Sequence, residues 1–77
     1  MLLSFSDLEE IIRNAIKLSC IPAKTIAKEV GLSNSGIYCF LGKQNHISIV
    51  KGDAIFNYLK ENDLKALRVA ADLYLNN

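Results

Sequence analysis

Between Ala23 and Gly42 the apolar residues fall into two short helical registers separated by a turn. Ile26, Ala27 and Val30 stand at i, i+1 and i+4, which makes one apolar stripe on a helix. Ala27 is small where a second helix would cross, so two backbones can approach there. Gly31 follows the stripe and offers the left-handed stop that glycine adopts without strain. Leu32 plugs the turn, and Ser33 is placed to cap the next helix. Ile37, Phe40 and Leu41 then face inward at i, i+3 and i+4, and Gly42 provides the next stop. The pattern predicts helices over 23–30 and 34–41.

Three further helices follow from the same periodicity. Ser6-Asp7-Leu8-Glu9 matches a capping box, with Ser6 as cap and Glu9 reaching back. Leu8, Ile11, Ile12, Ala15 and then Leu18 or Ser19 continue at helical spacing, so a first helix is expected over 7–18. Met1 to Phe5 precede it as an arm whose Leu2, Leu3 and Phe5 dock on the bundle. Ile21-Pro22 turns into the second helix, where proline at the start sacrifices no hydrogen bond. After a polar loop over 42–46, Ser48 caps a fourth helix over about 49–61, with Ile55, Tyr58 and Leu59 inward and Phe56 beside them. Gly52 weakens that helix by about 1 kcal/mol relative to alanine. Asn62-Asp63 breaks it. The last helix, over 64–75, carries a stripe of Leu64, Leu67, Ala71, Tyr74 and Leu75, with Val69, Ala70 and Leu73 beside it.

The stretch from Ala23 to Gly42 resembles the helix-turn-helix of the Cro and phage-repressor (XRE) family. Ile26, Ala27, Val30, Gly31, Leu32, Ile37 and Phe40 stand at that family's spacing. The resemblance spans roughly residues 8–59. It implies an all-α, compact five-helix bundle similar to the lambda-repressor DNA-binding domain. It also implies a phage or bacterial transcription regulator that binds double-stranded operator DNA through its third helix, as a homodimer. Base-reading roles carry over to Ser33, Asn34, Ser35, Tyr38 and Cys39. Asn34 has the amide that bonds adenine in bidentate fashion, and Tyr38 suits a phosphate or a thymine methyl. The chain departs from the family where members commonly place Gln, Arg or Lys on this helix, for it has none there. Ala23 stands where a phosphate-bonding Gln often opens the second helix, and the glycine after the third helix comes one residue early. Base specificity is therefore expected to be weak or shape-dependent, with phosphate contacts falling to Lys24, Lys43 and Gln44, joined by His46 or Lys51.

Charge changes this picture in two ways. Across the 77 residues, nine basic side chains against eight acidic ones leave a net charge of +1, low for a nucleic-acid binder. Between Cys20 and Lys51, however, four lysines (Lys24, Lys28, Lys43 and Lys51) face Glu29 alone, and the flanking segments are each slightly acidic. The positive field is centred on the two-helix motif. A second function class fits the low total charge and the missing Gln and Arg. It is a helix-turn-helix protein that works as an antirepressor or modulator by binding a repressor protein through the third or fifth helix.

The remaining composition narrows the chemistry. A chain of this length is expected to form one domain, and 51% hydrophobic residues supply a core. No apolar run approaches a membrane span, and the short apolar start lacks the basic region of a secretory signal. Cys20 and Cys39 are expected as reduced thiols in the cytoplasm. His46 is the only histidine and no paired-ligand spacing occurs, so neither a metal nor another cofactor is expected. No catalytic constellation is present; Glu9 and Glu10 read as a solvated first helical turn. The last helix has more apolar residues than one face can hold. Val69, Leu73 and Tyr74 are the expected interface with a second copy or another protein.

Overall fold

A computed structural model describes residues 3–76. Five helices follow one another without a strand among the described residues: α1 (Phe5–Leu18), α2 (Ala23–Val30), α3 (Asn34–Leu41), α4 (Ile49–Asn62) and α5 (Leu64–Leu75). They pack to a radius of gyration of 11.4 Å. The central layer is the apolar side of α1, where Ile11, Ile12, Ala15 and Ile16 are buried. The same core holds Ile26 and Ala27 of α2, Ile37 and Phe40 of α3, Ile55 and Leu59 of α4, and Leu67 and Ala70 of α5. The most extensive helix–helix packing is between α1 and α5.

The start of α1 differs from the expected one. Ser4, not Ser6, is the cap: its hydroxyl accepts from the Asp7 N–H at 3.2 Å, and the Asp7 carboxylate accepts from the Ser4 N–H at 2.8 Å. Phe5 therefore belongs to the helix and packs over Gly52 of α4, where an added Cβ would meet the ring at 3.4 Å. Gly52 is thus a packing surface for an aromatic ring, as well as a weak helix former. Leu2 lies outside the described residues, and Leu3 is exposed. Glu9 and Glu10 do not form a solvated turn. Glu9 is 3% exposed, because it lies in line with Ile12 and Ile16 on the inward face. At the other end Ile16 takes the inward place, and Leu18 is exposed.

The turn between α2 and α3 has the expected form. Gly31 sits at φ 79°, and Leu32 N–H closes back on the Ala27 carbonyl at 2.8 Å. The stop after α3 is not glycine. Gly42 has an ordinary φ of −83°, and Lys43 holds the left-handed position at φ 62°. Lys43 N–H donates to the Phe40 carbonyl at 3.1 Å and Gln44 N–H to the Cys39 carbonyl at 3.0 Å, the paired bonds of a Schellman turn.

Asp63 joins two corners of the bundle. Its carboxylate accepts from the Ser19 hydroxyl at 2.6 Å and the Cys20 N–H at 3.2 Å, and caps α5 through the Ala66 N–H. The Ser19 hydrogen bond, foremost, holds its carboxyl below the usual range. The inward stripe of α5 is rotated from the expected one. Ala66, Leu67 and Ala70 are buried, while Leu64 and Leu75 are 39% and 45% exposed. Leu67 keeps its expected inward place, and Ala71 and Tyr74 pack against the core, whereas Leu64 and Leu75 do not.

Candidate functional site

Capping and core packing present the outer side of α3. The Ser33 hydroxyl accepts from the Gly36 N–H at 2.9 Å and lies 3.4 Å from the Ser35 hydroxyl. A Cβ on Gly36 would come within 2.9 Å of the Ser33 oxygen, so glycine lets this cap close tightly. Ile37 and Phe40 point into the core. That leaves Asn34, Ser35 and Tyr38 exposed on the opposite side, with Cys39 half-buried at its edge. Ser33 is exposed too, but its oxygen is occupied by the cap.

Beside the start of α3, a cleft of about 590 Å³ is lined by Lys24, Thr25, Lys28, Glu29, Leu32 and Asn34. Lys24 and Lys28 are four residues apart on α2, both exposed, and among the described residues neither is ion-paired. The other two lysines of the basic segment are engaged. Lys43 Nζ is 3.1 Å from Glu10. Lys51 Nζ donates to the Val30 carbonyl at 2.9 Å, sealing the end of α2 beside Gly31. Gln44 and His46 are exposed in the following loop. The structure thus brings Lys24, Ser33, Asn34 and Ser35 to one end of the α2–α3 pair. Lys43 and Gln44 lie at the other end of α3.

Behind this surface lies a polar network that periodicity alone did not disclose. Arg13 is 8% exposed; its Nε donates to the Phe40 carbonyl at 2.6 Å, and its guanidinium stands 4.5 Å over the Phe40 ring. It also pairs with Glu10, which links it to Lys43. Glu9 accepts from the Ile47 N–H at 2.9 Å and contacts His46 Nδ1 at 3.1 Å. Burial pushes the Glu9 carboxyl up, but the Ile47 and His46 hydrogen bonds pull it down further, and the result lies below the ordinary value. Burial likewise opposes the Lys43 and Arg13 contacts at Glu10, and again the net shift is downward. This network anchors the end of α3 and the loop after it to α1. The sequence signal is the i, i+4 pair Glu9 and Arg13 lying in line with Ile12 and Ile16.

On the far side, α5 exposes Val69 (38%) and Leu73 (54%), and Val69 shares a surface depression with Leu18 of α1 (48% exposed). Tyr74 is half-buried, and its hydroxyl donates to the Asp7 carboxylate. That bond, first of several, lowers the Asp7 carboxyl and raises the Tyr74 phenol. Among the described residues no helix is long and apolar enough to cross a membrane. The chain matches no family model, and comparison with characterised proteins and with solved structures returns no match.

Proposed function

We propose that this chain is a small DNA-binding transcription regulator of the Cro type, with α2, the Gly31 turn and α3 serving as a helix-turn-helix. The observation that carries this reading is the polar side of α3, with Asn34, Ser35 and Tyr38 exposed beside Lys24 and Lys28, neither ion-paired among the described residues. A helix of this diameter fits the major groove, where residues near its N-terminus meet base edges. Asn34 is the amide at that position. Lys24 is the phosphate anchor, because it needs to leave no internal partner. Lys43 would first have to leave Glu10, and Ser33 contributes to the cap more than to a base.

A salt titration of binding to operator-length DNA tests the assignment. Lys24→Ala should flatten the dependence of log K on log salt by about 0.9, on every sequence alike. Asn34→Ala should cost about 1–3 kcal/mol at one base pair of the preferred site and relax the choice there. Unchanged slopes with Lys24→Ala, together with a uniform or absent Asn34 effect, would remove DNA from the reading.

One small module buries too little surface for strong specific binding, so the regulator is proposed to act as a homodimer. The Val69–Leu73 shoulder of α5 is the surface for it. Sedimentation equilibrium at micromolar concentration should give a dimer that Leu73→Glu converts to monomer. A wild-type monomer across that range sinks the homodimer.

A second reading draws on the engaged cations. Lys43 and Lys51, half of the basic segment's lysines, are tied up within the fold. That favours a modulator whose outer α3 face meets a repressor protein in place of DNA. Salt-insensitive, micromolar or weaker binding to all DNA would favour it.

A further inference from the structure

A groove of about 420 Å³ runs between α1, α4 and α5, away from the outer face of α3. Leu8, Ile11 and Leu67 form part of its apolar floor, with Phe56 and Ala71 in its walls. Leu3, Leu64 and Leu75 stand around it 45%, 39% and 45% exposed. The charged side chains that line it are Lys60 and Arg68, both exposed and both without an ion pair among the described residues. We propose that this groove is a docking site for an acidic amphipathic helix of another protein.

The physical argument has three parts. The groove is apolar in its floor and basic in its lining charges, so a matching ligand is apolar on one face and acidic beside it. Side chains of three helices line it, which suits a helix laid into a groove through i, i+3, i+4 and i+7 anchors. A second copy of this chain is a poor occupant. A two-fold contact sets the same patch against itself. That would bring Lys60 and Arg68 of both copies to one apolar contact, with no carboxylate among its lining residues to answer them. The groove lies on the other edge of α5 from Val69 and Leu73, so its occupancy and the proposed homodimer are separable. The inference also stands apart from the DNA reading, because none of its residues belongs to α2 or α3.

The probe is a pair of synthetic helical peptides of roughly four turns. Both carry leucines at i, i+3, i+4 and i+7; one is flanked by glutamates and the other by lysines. Fluorescence anisotropy with the full chain should show the acidic peptide binding at least about tenfold tighter than the basic one. The double variant Lys60→Glu, Arg68→Glu should reverse that order, whereas Lys24→Ala should leave it unchanged. Both altered residues are exposed, and far-UV circular dichroism checks that the variant remains helical. Equal affinity for the two peptides, no reversal in the double variant, or no binding of the acidic peptide up to millimolar concentration would each overturn the proposal. So would a self-associated protein whose dimer is lost on Leu64→Gln, since the groove would then belong to a second copy.

Discussion

Phe40→Ala is expected to unfold a large fraction of the protein at physiological temperature. Phe40 is the largest fully buried side chain among the described residues. Replacing such a residue with alanine removes its transfer free energy and leaves a cavity, together about 3–5 kcal/mol. A domain of this length commands only about 4–12 kcal/mol. The ring also carries the Arg13 guanidinium at 4.5 Å, so a buried cation loses its aromatic partner in the same step. The midpoint should fall by roughly 15 °C or more in a thermal melt followed by circular dichroism. The Arg13 and Phe40 substitutions should be non-additive in a double-mutant cycle, because the two side chains share one contact. A loss below about 1 kcal/mol would mean that α3 is not held through Phe40.

Glu9→Ala is the second large effect. Glu9 is a buried carboxylate, yet its role is to receive the Ile47 N–H and His46 at the loop before α4. Truncation leaves the buried Ile47 N–H without an acceptor, at a cost of about 1–3 kcal/mol, and the lost methylenes add to it. The variant also tests a pH dependence. The carboxyls of Glu9 and Glu10 lie below their ordinary 4.5, and those of Asp7 and Asp63 below 3.8. A carboxyl depressed in the folded state contributes stability above its unfolded pKa and loses it as pH falls through the folded one. Stability should therefore be flat near neutrality and decline on acidification from about pH 5. Urea midpoints measured from pH 7 to pH 2.5 should show a shallower decline for Glu9→Ala, or for the milder Glu9→Gln, than for the wild type. Parallel curves would remove Glu9 from the acid response.

The bounds of α2, α3 and α5 were legible in the sequence because each is set by local chemistry: Pro22 and Gly31, Ser33 and the stop after Leu41, Asp63 and the chain's last leucines. The start of α1 was not, because two overlapping Ser-x-x-acid motifs compete there. Ser4 with Asp7 and Ser6 with Glu9 both satisfy the local rule. What decides is tertiary: Glu9 is taken by the loop at Ile47, which leaves Asp7 for the cap. The stripe of α5 was legible in part: Leu67, Ala71 and Tyr74 meet the core, but Ala66 and Ala70 are buried where size alone favours Leu64 and Leu75. For the candidate site, exposure was legible from the register of Ile37 and Phe40. The engagement of Lys43 and Lys51 was not, since their partners Glu10 and Val30 lie 33 and 21 positions away in sequence.

The Asp7–Tyr74 bond spans 67 residues and belongs to the α1–α5 packing, the most extensive in the molecule. Its loop-closure entropy, which grows as the logarithm of length, must be met before the contact stabilises anything. The α2–α3 hairpin closes over a few residues and can form early, but alone it has only Ile26, Ala27, Ile37 and Phe40 to bury. Those side chains find their cover on α4, which packs on α2, and on α1, which packs on α3; α1 and α4 are both packed in turn against α5. The connectivity therefore predicts an order of assembly, with the local hairpin before the packing of the first helix on the last. Because α5 packs on α1 and α4, and these in turn hold α3 and α2, a nick or truncation that releases α5 is expected to loosen a helix with which it shares almost no contact.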